Sequence, residues 1–146
     1  MENSEELYLV EREIESEIDC RYCHSTVEVS AKANIPPTQT CMNCHKMVMP
    51  ESEKLAPVRE SYATKVPIQW VRIHKVPDYA FFNHAAHLRA GVSCISCHGN
   101  VAQMEVVMQK QPLSMGWCVN CHRDANARGV HGKPVYASID CVSCHY

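Results

Sequence analysis

The chain has 146 residues and a formal charge of −2 with histidine neutral, a length that suits one domain or two small lobes. No basic stripe is present, which argues against a nucleic-acid partner. Two Phe, two Trp and eight Pro spread the apolar material thinly for a length that would ordinarily bury a core.

Residues 1–19 are acidic: Glu2, Glu5, Glu6, Glu11, Glu13, Glu15, Glu17 and Asp19 face the single base Arg12. The segment reads as a solvated helix or tail rather than a docking surface. It holds no apolar run suited to a signal peptide or a membrane anchor. Residues 20–50 contain Cys20-Arg21-Tyr22-Cys23-His24 and Cys41-Met42-Asn43-Cys44-His45, separated by a loop around Ile35-Pro36-Pro37-Thr38. Residues 51–80 contain Pro57, Pro67 and Pro77 and no cysteine, and the alternation from Val66 to Ile73 suits a short extended segment. Residues 81–146 contain Cys94-Ile95-Ser96-Cys97-His98, Cys118-Val119-Asn120-Cys121-His122 and Cys141-Val142-Ser143-Cys144-His145. Among them, Val101 to Gln111 places Met104, Val107 and Met108 at helical spacing. It is the best helix candidate outside the cysteine motifs, ending before Pro112. No stretch is long and apolar enough to cross a membrane.

The five C-x-x-C-H copies consume all ten cysteines. Their first cysteines stand 21, 53, 24 and 23 residues apart, a loose repeat rather than a solenoid period. On one helical turn, residues i and i+3 share a face and i+4 lies beside them. Two thioethers can therefore fix both vinyl edges of one porphyrin, with the histidine beneath its iron. That is the form of covalent haem c attachment. Paired C-x-x-C segments can also make four-cysteine zinc sites, but five pairs leave one over and the five histidines unexplained. A thioredoxin-like redox pair would need a βαβ setting.

The reading is five covalently bound haem c groups, held by Cys20, Cys23, Cys41, Cys44, Cys94, Cys97, Cys118, Cys121, Cys141 and Cys144. His24, His45, His98, His122 and His145 supply one axial ligand to each iron. The expected fold is mainly α with much irregular structure, a compact multihaem cytochrome c wrapped around its haems. It forms a single domain over residues 1–146, in which the 53-residue gap separates a two-haem lobe (20–50) from a three-haem lobe (81–146) by a connecting segment (51–80). Covalent haem is attached on the outer side of bacterial membranes, so export to the periplasmic side of the inner membrane is expected. Residues 1–19 do not show how that export is directed.

Four histidines remain outside the motifs: His74, His84, His87 and His131. All are candidates for second axial ligands. His84 and His87 lie three apart, so on a helix both point to one side. They cannot be trans to each other on one iron, and should serve two haems held close together. Four histidines cannot serve five irons. Methionine is the natural fifth ligand, with Met115 first choice and Met42, Met47, Met49, Met104 and Met108 weaker. His/Met ligation raises the potential of an iron above that of a two-histidine site, which would give electrons a direction. Trp70, Trp117 and Tyr79 read as packing residues. Arg21, Arg72, Arg123 and Lys133 read as solvated bases. No nucleotide loop, catalytic triad or paired-carboxylate site stands out, so no catalytic residue is assigned.

Phe82-Asn83-His84-Ala85-Ala86-His87 upstream of a C-x-x-C-H resembles the class III multihaem cytochromes c. Together with Asp19-Cys20-Arg21-Tyr22-Cys23-His24, Trp70-Val71-Arg72-Ile73-His74, Pro77-Asp78-Tyr79 and Met115-Gly116-Trp117-Cys118, it resembles the pentahaem cytochrome subunit of bacterial alternative complex III, over roughly residues 18 to 125. The resemblance implies a noncatalytic electron conduit in a quinol-oxidising membrane complex, passing electrons to a cytochrome c or a terminal oxidase. Implied partners are an iron–sulfur subunit resembling molybdopterin oxidoreductases, quinol-binding membrane subunits and a monohaem cytochrome c. Aligned on Cys20, Val10 and Glu13 stand where His84 and His87 precede Cys94, so the first haem departs from the family's ligand pattern. A soluble periplasmic multihaem shuttle is the alternative, and a multihaem reductase, which needs an open iron position, a further one.

Overall fold

The computed structural model describes residues 18–146; the acidic run up to Glu17 lies outside them. Most helices here are short because they soon meet glycine, proline or a left-handed residue. Asp19 begins α1 (Cys20–Cys23), its carboxylate accepting from the Arg21 N–H at 2.8 Å. Pro37 precedes α2 (Thr38–His45), where a missing N–H costs nothing. A 3₁₀ turn (Glu53–Leu55) leads into α3 (Ala56–Thr64), which carries Pro57 in its first turn. The side chain of Asn83 caps α4 (His84–Arg89) by accepting from the Ala86 N–H at 3.1 Å. Ser93 caps α5 (Cys94–His98), and Ser114 caps α6 (Met115–Arg128), the longest helix at 14 residues. The last motif forms only a 3₁₀ turn, Cys141–Ser143.

Among the described residues the backbone forms no strand, only an isolated bridge between Val130 and Lys133. That bridge closes the turn after α6. Gly129 sits there with φ of 76°, and a side chain at this position would run into the Lys133 carbonyl. Residues 66–83 run extended and irregular between α3 and α4, with no ladder partner.

One expectation changes, at Val101 to Gln111. In the connecting segment 51–80, nine residues form α3, which packs along α2. Met42 of α2 and Val58 of α3 are buried there. Arg59 donates to the Pro50 and Ser52 carbonyls at 2.8 Å each, tying the intervening loop down. The Ser61 hydroxyl donates to the Val66 carbonyl at 2.6 Å, where Lys65 ends the helix in a left-handed conformation.

Conversely, Val101 to Gln111 is not a helix. Only a 3₁₀ turn, Val101–Gln103, forms before Met104 goes extended. The chain then doubles back over Gly99, whose hydrogen face lies 2.9 Å from Lys110 Cγ once a Cβ is placed on it. The Lys75 N–H donates to the Gln109 side chain at 3.1 Å and fixes the return. Adjacent β-branched Val106 and Val107 are weak helix formers, and this fold-back wins over the spacing of the methionines.

Candidate functional site

Four of the five cysteine motifs lie on α-helical turns and the fifth on a 3₁₀ turn. Within each helix the two cysteines, three residues apart, share one face. None of the ten is in a disulfide. Burial pushes the Cys97 thiol up to about 11, helped by the neighbouring thiols of Cys121, Cys118 and Cys94. Burial also raises Cys94, with the thiol of Cys20 adding to it. Burial raises Cys23 too, with Cys41 and Cys44 adding to it.

Six of the nine histidines are held in one tautomer. A backbone carbonyl can only accept, so a ring nitrogen bonded to one must carry the proton. His45 Nδ1 donates to the Val48 carbonyl at 3.0 Å, His122 Nδ1 to that of Ser138 at 2.6 Å and His145 Nδ1 to that of Tyr79 at 2.8 Å. His24 Nδ1 donates likewise to Asn34. His84 Nδ1 donates to Ala31 at 2.9 Å and His87 Nδ1 to Asn83 at 2.8 Å. Each of these rings keeps Nε2 as a lone-pair donor, oriented by its backbone bond as metal-binding histidines are. Burial, with His74, His84 and His24 nearby, lowers His98 to about 4. Burial also lowers His87. Both are therefore neutral, the ligand form, at physiological pH.

Two pairs of rings face each other. His84 and His98 have centroids 6.4 Å apart with planes inclined by only 5°. His87 and His122 are 6.0 Å apart with planes inclined by 38°. An imidazole nitrogen binds a transition metal at about 2 Å. Two trans imidazoles on one ion therefore place their centroids roughly 6 Å apart. Both pairs leave that gap, and each joins a motif histidine to one member of the α4 pair. Among the described residues no three or four side chains are grouped as a bare zinc ion would need. Facing pairs suit an iron whose equatorial ligands belong to a porphyrin. Few side chains are buried among the described residues: Val27, Met42, Val58, Ala85 and Ser61. A polypeptide with so little core of its own fits a protein completed by large apolar prosthetic groups. The donor set and the packing both fit haem c.

The remaining candidates are placed differently. His74 meets His98 edge-on at 4.4 Å and 78°. That is too close for an ion between them, and His74 Nε2 is buried with no hydrogen-bond partner. His131 has a left-handed φ of 48°, and its Nε2 bonds to the Gly91 carbonyl at 3.0 Å. Met115 is the exposed first residue of α6. Met42 of α2 is buried.

Sequence reasoning missed several supporting residues. Phe82 stacks on His87 at 4.3 Å and meets His84 edge-on at 4.8 Å, setting both rings. Phe81 stacks on Tyr146 at 4.3 Å, while its N–H donates to the Cys144 carbonyl at 2.8 Å. Tyr62 lies under the ammonium groups of Lys46 and Lys65, at 5.0 and 4.2 Å, and the Lys46 hydrogen bond lowers its hydroxyl pKa. Beside it a cleft of about 420 Å³ is lined by Pro36, Pro37, Lys65, Ile68 and Trp70 among others. The aromatic pair before Asn83 was the only one of these signals legible in the sequence.

Comparison with known proteins bears on the same residues. Residues 80–146 match the family described as cytochrome c7 and related cytochrome c. The chain is similar to the menaquinone reductase, multiheme cytochrome c subunit, of Nitratidesulfovibrio vulgaris, 29% identical over 149 residues that cover 88% of this chain and 69% of that protein. The stretch that is similar to that family, residues 80–146, is helical and irregular. No helix among the described residues is long and apolar enough to cross a membrane.

Proposed function

We propose that the chain is a pentahaem cytochrome c that conducts electrons within a quinone-linked membrane complex on the periplasmic side, and performs no substrate chemistry of its own. One observation carries the reading. Two motif histidines face the two histidines of α4 across gaps of 6.4 and 6.0 Å. Haem c at such sites supplies one-electron exchange at iron, tuned by the axial ligands. The residues of the chain hold, orient and space those groups. His98 and His84 would hold the haem of the third site, and His122 and His87 that of the fourth. His24, His45 and His145 are the proximal ligands of the other three. His74, His131 and Met115 are the candidates for their sixth positions. His74 cannot serve the third iron, since its ring already stands edge-on to His98.

Two lines support the quinone link. The sequence resembles the pentahaem subunit of alternative complex III, a quinol oxidoreductase. The Nitratidesulfovibrio relative is named as a subunit of a menaquinone reductase. The two imply opposite electron directions along the same kind of conduit. We favour the quinol-oxidising direction, with electrons leaving towards a cytochrome c or an oxidase. The expected partners are a molybdopterin-like iron–sulfur subunit, quinol-binding membrane subunits and a monohaem cytochrome c.

The test is purification from the native membrane followed by intact mass and stoichiometric reduction. Five haem additions on this chain, large hydrophobic subunits in the same complex and reduction by a menaquinol analogue are expected. Fewer than five additions overturns the pentahaem reading. A free five-haem chain overturns the complex and returns the soluble shuttle.

A further inference from the structure

The five attachment motifs need not follow one another in space as they do along the chain. We propose that the second motif, not the first, is the outer terminus of the haem array, and that the first motif is the bridge joining it to the third. The proposal rests on the reading of five haem sites and concerns which of them touch.

The second motif meets the first. Asn43 and Tyr22 are the third residues of their motifs, and the Asn43 amide donates to the Tyr22 hydroxyl at 3.3 Å. The first motif in turn meets the third. Ala31 and Ser30, on the loop that leaves it, accept from the His84 and Ala85 N–H groups at 3.2 Å each. The Ala31 carbonyl also accepts from the His84 ring at 2.9 Å. The loop of the first motif therefore holds the very imidazole that faces His98 of the third.

From the third motif onward the order follows the chain. α4 links the third and fourth sites through His84 and His87. The fourth links to the fifth through Ser138, whose carbonyl accepts from His122 and whose hydroxyl lies 2.8 Å from that of Ser143. Asn126 of α6 grips Ala137 by both backbone groups, at 2.8 and 2.7 Å. On its far side the second motif packs against α3, a helix without attachment chemistry. The next residues, Met47, Val48 and Met49, are exposed. An electron at the second site must therefore pass the first to reach the third.

Haem-deletion variants of the full holo-chain test this: Cys41→Ser with Cys44→Ser, and Cys20→Ser with Cys23→Ser. Intact mass must show each variant one haem lighter than the wild-type chain. A wild-type chain with fewer than five haems would instead be a failure of the pentahaem reading, and is read separately. The readout is an anaerobic redox titration that resolves the remaining irons by their ferric low-spin spectra. Losing the second haem is expected to shift the midpoint of a single remaining haem. Losing the first is expected to shift two, one on either side. The reverse pattern, or two shifted haems in both variants, overturns the proposal. Should a deletion variant not accumulate, His45→Met and His24→Met carry the same test. Retuning one iron shifts its neighbours only, so one shifted neighbour is expected for His45→Met and two for His24→Met.

Discussion

The stretch from α2 to α3 and the stretch from Tyr79 to the C-terminus carry the same attachment motif but hold it in different ways. In the first, peptide packs on peptide: Met42 and Val58 are buried between the two helices, and Ser61 and Arg59 tie off both loops. In the second, the only buried apolar side chain is Ala85. What organises that region is a set of histidine rings, most of them fixed by a backbone carbonyl, with His84 paired to His98 and His87 to His122 at an iron-sized separation. One region has a small core of its own, while the other is shaped around what its histidines and cysteines hold.

The largest expected effect is a difference in survival. Cys118→Ala with Cys121→Ala removes an attachment site from α6, on which the fifth motif hangs through Ser138 and Asn126. Loss of soluble holo-protein is expected. Cys41→Ala with Cys44→Ala leaves the buried faces of α2 and α3 intact, and a four-haem chain should accumulate. Intact mass and yield decide it. Equal loss in both would show that the helical pair has no independent stability. Next in size is the loss of one axial ligand. His84→Ala and His87→Ala should each convert one low-spin iron to high spin, seen by electron paramagnetic resonance. The two should differ in which site changes, because the rings they face belong to different motifs. An unchanged low-spin spectrum in either variant would remove that histidine from the ligand set.

A smaller effect falls on the α2–α3 side. Met42→Ala deletes a buried side chain and should cost about 2–4 kcal/mol. Thermal unfolding of the holo-chain measures it, and the haem spectra should not move. A spectral change would mean that Met42 is no mere packing residue.

The motifs were legible because covalent attachment needs its donors within one helical turn, so the chemistry is written locally. The same holds for the capped starts at Asp19, Ser93 and Ser114, where a side chain bonds an N–H two or three residues on. α3 was not read from residues 51–80 because its prolines suggest a breaker. Yet Pro57 lies in a first turn, where proline is tolerated, and Leu55, Val58 and Tyr62 have helical spacing. The error at Val101 to Gln111 ran the other way. Spacing promised a helix, but Gly99 and the Lys75–Gln109 bond turn that segment back on itself. Which histidine faces which was not legible, because the partners are brought together by α4 and its contact with Ala31, far away in sequence.

The smallest effect probes the joint between the two regions. Asn83 starts α4 by accepting from the Ala86 N–H, while its own carbonyl accepts from the His87 ring at 2.8 Å. The residue therefore both caps the helix and orients one ligand. Asn83→Ala removes the cap and keeps the carbonyl. Loss of a cap costs about 1 kcal/mol, so the melting temperature should fall modestly. If the backbone bond alone holds His87, the spectrum of the fourth site should be unchanged. Asn83→Pro adds a constraint on the backbone that carries that carbonyl, and should disturb both stability and spectrum. A spectral change in Asn83→Ala equal to that in Asn83→Pro would show that the helical turn itself, not the carbonyl, orients the ring.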